Sequence, residues 1–298
     1  MRSVSRLALR SGLWLFALMA VSSGDVLAAM PEPWKLGFQA PATPIMERVE
    51  EFHNYLLIII TLITLFVLGL LVFVIVRFNE RANPVPSRTA HNTLVEILWT
   101  LIPVGILVAI AIPSFKLLYY EDTIPDADMT IKVTAQSWNW TYDYPDNGDI
   151  SVISNIVSDD KLQPGQPRLL TADESLVIPA GKTIRVLVTS ADILHAFAVP
   201  AFGVKIDAVP GRLNETWLKV DKPGTYYGQC SELCGRQHAF MPIQVKVVPQ
   251  EAFDVWVANG GSDTPPAEVA AVQNTSAETN AGSMAPAPAQ HSNAAASR

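Results

Sequence analysis

Charge is what this sequence has least of. Asp, Glu, Lys and Arg together make up 16% of its 298 residues, against 49% apolar residues, and the mean hydropathy is positive. So little charge leaves more apolar side chains than a soluble core of this length uses, and part of the chain therefore belongs in lipid. Positive charge is the scarcer sign: 21 Lys and Arg face 28 Asp and Glu, a formal charge of -7. That balance argues against nucleic acid as a partner and favours a basic protein. Cysteine is rarer still, with two in the chain, and histidine occurs five times. Both cysteines, one histidine and a methionine nonetheless share one stretch, "GQCSELCGRQHAFMP", residues 228–242.

Long apolar runs organise the first half. Residues 1–29 read as a secretory leader, in which Arg2, Arg6 and Arg10 precede a short apolar core, "GLWLFALMAV". The small residues of "VLAA" then offer cleavage near Ala28 or Ala29. The alternative is a retained anchor helix, which that short run could not carry across roughly 30 Å of hydrocarbon. An exported segment, 30–54, leads to "YLLIIITLITLFVLGLLVFVIV" (55–76) and then "ILWTLIPVGILVAIAIPSFKLL" (97–118). The first carries no charge and the second only Lys116, so both are expected to span the membrane as helices of a hairpin. Pro103 and Pro113 are tolerable where neighbouring helices satisfy the freed carbonyls. The connecting loop, 77–96, holds Arg77, Arg81 and Arg88, which places it in the cytoplasm and both termini outside.

From "MTIKVTAQSWNWTYDY" onward the pattern changes to short alternating runs broken by Pro, Gly, Asn and Asp. "TIRVLVTS", "ETWLKV", "GTYYGQ" and "PIQVKVVP" read as strands, with Ile184, Val186 and Val188 on one face and Ile243, Val245 and Val247 on another. Residues 119–260 are thus expected to form an exported all-β sandwich or barrel, closed by a helix at "EAFDVWVANG". Residues 261–298 are rich in Pro, Ala, Ser and Thr and are expected to be disordered.

In an exported domain two cysteines can simply be a disulfide. Their neighbours suggest otherwise: Cys230, Cys234 and His238 stand four residues apart, Met241 follows, and His195 lies at the end of an earlier strand in "ADILHAFAVP". Calcium or magnesium would prefer oxygen donors, and a structural zinc site would need no methionine. Soft sulfur with imidazole suits copper. One thiolate with two histidines and a weak methionine would make a mononuclear blue-copper site on a β-sandwich. The extra thiolate lets two bridging sulfurs hold two coppers, a pair suited to electron transfer rather than substrate turnover.

The stretch 228–242, with "LHAFAVPAFGVKIDAVPGRLNETW" and "TAQSWNWTYDY" before it, resembles subunit II of the haem-copper cytochrome c oxidases. The resemblance covers about residues 34–258, including "LGFQAPATPIM" and "VEILWTLIP". It implies a transmembrane hairpin followed by a cupredoxin-like domain in the periplasm, anchored as a multi-pass protein in the bacterial inner membrane. It also implies a binuclear copper A centre held by His195, Cys230, Cys234, His238, Met241 and the backbone carbonyl of Glu232. The Glu232 carboxylate would join a magnesium ion shared with subunit I, and this chain would bind no haem itself. Electrons would pass from cytochrome c to haem in subunit I, where oxygen is reduced to water with proton translocation. Further oxidase subunits are implied as partners.

Within that resemblance Trp138 matches the residue through which electrons arrive, although on sequence alone an indole packed in the barrel is the plainer reading. Trp140 is expected to be such a core residue. Asp143 matches a docking carboxylate and Asp192 is a second candidate. Eleven acidic residues against three basic ones from 121 to 174 would steer a basic donor, while any single acid is an ordinary surface group. Glu96, placed just before the second helix, matches the entrance of a proton path, the plainer alternative being a helix-end marker. A quinol-oxidase subunit would lack the copper ligands. A membrane-anchored copper carrier or disulfide-bonded adaptor would need neither the acidic surface nor Trp138.

Overall fold

The computed structural model describes residues 28–262. The bulk of the expected leader and of the expected tail lies outside them.

Helix α1 runs over Pro44–Arg77 and α2 over Thr93–Asp122. At 1.5 Å per residue they reach about 51 and 45 Å, well beyond the hydrocarbon thickness. Their most apolar stretches are not buried against the rest of the described residues. Such all-round apolar surfaces need lipid or another apolar partner.

Both helices start earlier than the apolar runs suggest. Thr43 caps α1, its Oγ1 accepting from the Met46 N–H (3.1 Å), and Pro44 supplies the first-turn φ without losing a needed donor. Residues 44–54, part of the expected exported segment, are therefore helical. Asn92 caps α2 in the same way through the Val95 N–H (3.2 Å). The loop shrinks to 78–92, and Glu96 lies inside the first turn of α2 rather than ahead of it. Polar cap chemistry, invisible to a search for uncharged runs, sets both boundaries.

Among the described residues there are eleven strands: β1 (Ala28–Ala29), β2 (Met129–Gln136), β3 (Asn139–Tyr144), β4 (Ile150–Ser154), β5 (Leu176–Pro179), β6 (Thr183–Ser190), β7 (His195–Val199), β8 (Val204–Ala208), β9 (Asn214–Lys219), β10 (Gly224–Gln229) and β11 (Pro242–Val248). They form a five-stranded sheet, β4-β3-β2-β6-β9, a four-stranded sheet, β1-β10-β11-β5, and the β7-β8 hairpin. Helix α3 (Gln250–Ala258) closes the domain and buries Phe253 and Trp256.

The core is built from alternation. Ile131, Val133, Ile184, Val186 and Val188 on one sheet meet Ile243, Val245, Leu176 and Ile178 on the other, all fully or almost fully buried. Trp140, Tyr142 and Tyr144 project from one face of β3 into this layer, and Trp140 is a core residue as expected. Tyr144 ties the sheets together: its hydroxyl donates to the Val177 carbonyl and accepts the Val177 N–H, both at 2.9 Å.

The hairpin is fastened to this domain at one end. Thr43 Oγ1 donates to the Phe202 carbonyl (2.7 Å), Ala42 N–H donates to the Ala201 carbonyl (2.9 Å), and Ile45 and Met46 are buried there. At the end of α2, Tyr120 packs edge-on against Trp217 of β9. The arginine-bearing loop therefore lies at the opposite end of the hairpin from the β domain.

Candidate metal centre

Two loops and a strand start converge on one buried spot. Strand β10 delivers Cys230, the loop continues through Glu232 and Cys234, and a 3-10 turn over His238–Phe240 returns the chain to β11. The fourth donor comes from β7, which His195 opens rather than closes. The preceding turn, held by Asp192, brings it there.

The donors pair off. Cys230 Sγ and Cys234 Sγ are 3.7 Å apart, both free thiols, and far outside the 2.05 Å of a disulfide. His195 Nδ1 stands 3.8 Å from Cys230 Sγ, and His238 Nδ1 stands 3.5 Å from Cys234 Sγ. Cys230 Sγ lies 3.3 Å from the Glu232 carbonyl oxygen. Met241 is fully buried and its carbonyl accepts the Cys230 N–H at 3.0 Å. His195, Cys230 and Cys234 place their ligand atoms within 4.8 Å of one another. His195 and Cys234 are sealed from solvent and His238 is half-buried.

Two sulfurs flanked by two imidazole nitrogens, with a carbonyl alongside, fit soft or borderline cations and suit copper. They fit hard cations poorly. Burial, then the neighbouring Cys230, pushes the Cys234 thiol above its usual range. Without metal the thiol is therefore neutral, and a bound cation must displace its proton.

A glycine makes the convergence possible. Gly228, on the strand that leads into Cys230, passes so close to β7 that a Cβ there would collide with the Ala198 carbonyl oxygen. Only hydrogen fits that gap, and β7 can therefore present His195 to Cys230. The Ser231 N–H donates to the Ala196 carbonyl (3.0 Å) and locks the same pair. Nothing in the sequence around Gly228 signals this role, because its reason is a partner thirty residues away. Gly235 has φ +104°, which turns the chain after Cys234 with Trp138 against its open side.

Trp138 is half-buried at the rim of the site, and its Nε1–H donates to the Cys234 carbonyl at 2.9 Å. Asp192 Oδ1 lies 3.0 Å from His195 Nε2, and Oδ2 accepts the Ser137 N–H at 2.8 Å. Burial raises the Asp192 carboxyl, but hydrogen bonds from Ser137, His195 and Ile193 outweigh it and hold the group well below the usual carboxylate range.

Asp143 lies apart from this cluster on β3, accepting from Ser151 Oγ (2.7 Å) with Lys132 Nζ at 3.5 Å. Glu96 is at the far end of the hairpin, where its Oε1 accepts the Asn92 N–H (3.2 Å) and completes the cap of α2. Glu232 is exposed, so only its carbonyl faces the thiols.

Residues 129–248 match the family described as cytochrome C oxidase subunit II, periplasmic domain, and residues 31–117 match its transmembrane domain. Probable cytochrome c oxidase subunit 2 of Rickettsia bellii is 55% identical over 241 residues, 81% of this chain and 90% of the relative. Cytochrome c oxidase subunit 2 of Zea mays is 48% identical over 234 residues, 76% of this chain and 90% of the relative. Among solved structures, the periplasmic domain of subunit II of cytochrome oxidase of Bradyrhizobium japonicum is 56% identical and covers 46% of this chain and 96% of its own, with a TM-score of 0.44. With both halves matched in order and the donor set in place, the chain belongs to the cytochrome c oxidase subunit II family, membrane-anchored subunits of the haem-copper oxidoreductase.

Proposed function

We propose that this chain is the electron-input subunit of a terminal respiratory oxidase in a bacterial inner membrane. It accepts electrons from cytochrome c on the periplasmic side and passes them to haem on subunit I, where oxygen is reduced to water with proton translocation. The observation that carries this reading is the pair of buried thiols 3.7 Å apart, each facing its own imidazole Nδ1. With copper bound, the site would supply a one-electron store.

His195, Cys230, Cys234, His238, Met241 and the Glu232 carbonyl are the residues that would hold those ions. Their own contribution is rigidity. His195 and Cys234 are sealed in a close-packed core, so the donors keep their places as charge arrives and leaves. The exposed Glu232 carboxylate is free to share a magnesium ion with subunit I.

Trp138 supports the direction of flow. Its ring reaches the rim, and its Nε1–H is bonded to the backbone of Cys234, so the indole joins the surface to the ligand loop. Asp143 and the acidic excess around it give a basic donor a field to follow, and the charge of Asp192 adds to it. Glu96, in the first turn of α2 at the other end of the hairpin, would collect protons on the cytoplasmic side for a path into subunit I.

Rapid mixing of reduced cytochrome c with the oxidase complex tests the assignment. The Debye length falls from roughly 30 Å at 0.01 M salt to about 10 Å at 0.1 M, so the association rate is expected to drop steeply over that range. Asp143→Asn is expected to flatten the dependence. A salt-independent rate would leave these acids as ordinary surface, and electrons accepted only from a quinol would overturn the donor assignment.

A further inference from the structure

The sequence offers Asp192 as a second candidate docking carboxylate, and the fold gives its oxygens further partners inside the chain. Oδ1 lies 3.0 Å from His195 Nε2 and accepts the Ile193 N–H at 2.7 Å, while Oδ2 accepts the Ser137 N–H at 2.8 Å. The Asp192 N–H itself donates to Ser190 Oγ at 3.2 Å. Its side chain is 33% exposed, whereas the His195 side chain it touches is 0% exposed.

A carboxylate only accepts hydrogen bonds, so the nitrogen facing it must carry the proton. Placed at Nε2, that proton leaves the lone pair of His195 on Nδ1, the atom that faces Cys230 Sγ at 3.8 Å. A neutral imidazole can carry its proton on either nitrogen, and a partner on one side decides which. The other carboxylate oxygen grips the backbone immediately before Trp138, and the Trp138 Nε1–H returns to the Cys234 carbonyl. One side chain thus joins the β7 ligand, the Trp138 turn and, through the indole, the cysteine loop.

We propose that Asp192 is a positioning residue: it fixes His195 as the Nε2–H tautomer with Nδ1 toward the thiols, and holds the Trp138 turn in register with that ligand. The proposal rests on the copper reading of the site but concerns hydrogen bonds made by the protein's own groups. Its consequence is that Asp192 matters through the acceptor it supplies to His195, whereas docking would matter only through its charge.

The test uses the full-length chain, free of copper and labelled with nitrogen-15 in its histidines. Long-range proton–nitrogen correlation spectra are expected to show His195 as the Nε2–H tautomer, with a slowly exchanging ring proton. Asp192→Asn removes the charge but keeps an acceptor, and is expected to preserve that tautomer. Asp192→Ala removes both, and is expected to give a mixture of tautomers with ring-proton exchange faster by about tenfold or more, the scale of losing one hydrogen bond to a charged group.

Nδ1–H in the wild-type chain would overturn the proposal whatever the variants do, as would an unchanged tautomer in Asp192→Ala. Should the alanine variant not fold, loss of the Nε2–H tautomer in Asp192→Asn would also overturn it, and retention would support it. Copper content is measured separately on reloaded samples. Failure to take up copper with the tautomer as expected would sink the functional reading and leave the positioning role standing.

Discussion

Trp138 is attached to the site in two ways that can be separated. Its half-buried ring would, in the proposed function, offer an electronic path without charge, while its Nε1–H holds the Cys234 carbonyl at 2.9 Å. Trp138→Gln is expected to leave cytochrome c binding and its salt dependence nearly intact while slowing electron arrival by orders of magnitude. Trp138→Phe keeps a ring and loses only the hydrogen bond, so it is expected to fall between the two. Transient kinetics at matched ionic strength makes the comparison, and loss of binding with a normal intrinsic rate would reverse the assignment. The candidate donors other than His195 were legible in the sequence because rare residue types of one chemistry crowd into 228–242. The arrangement that surrounds them was not. Asp192 shows a charge in sequence but not the Ser137 N–H and His195 Nε2 that occupy its oxygens.

At the scale of elements, the close approach of β10 to β7 decides whether a metal site exists at all. Gly228→Ala places a methyl group against the Ala198 carbonyl, a backbone atom held in the β7–β8 ladder and unable to step aside. The expected cost is about 3 kcal/mol or more in chemical unfolding, with copper retention reduced through displacement of His195. Wild-type stability would mean that β7 shifts freely. The same sheet bears on processing. Ala28–Ala29 pairs in parallel with Thr225–Tyr226 of β10, and Ala29 is buried in the core. Cleavage near Ala28 or Ala29 would remove that strand, so N-terminal sequencing of the mature protein is expected to begin upstream of Ala28. A first residue of Ala29 or Met30 would show that the mature fold does without β1. On α2, Glu96 both caps the helix and faces the cytoplasmic side of the proposed topology. Glu96→Gln keeps a capping acceptor and removes the proton site. It is expected to slow turnover while leaving assembly, copper content and electron arrival unchanged, and normal turnover would restrict Glu96 to the cap. The four runs read as strands coincide with β6, β9, β10 and β11 to within a residue, whereas β7 begins at His195, where the sequence suggested a strand end. Helix starts were not legible, because they depend on Thr43 and Asn92, cap residues outside the apolar runs.

For the whole molecule, the hairpin and the β domain form one continuous design. Thr43, Ile45 and Met46 dock the start of α1, and Tyr120 docks the end of α2 against Trp217, so the copper-suited site is held at a fixed end of the membrane anchor. In the proposed function electron arrival and proton collection lie at opposite ends, which is why the defects of Trp138 and Glu96 variants are expected to separate. All of this depends on what the paired thiols hold. Metal analysis of the purified full-length protein, combined with electron paramagnetic resonance of the same sample, tests that most directly. Two coppers per chain are predicted, with one unpaired electron spread equally over both. A single copper, a zinc ion, or a Cys230–Cys234 disulfide in the metal-loaded protein would contradict it.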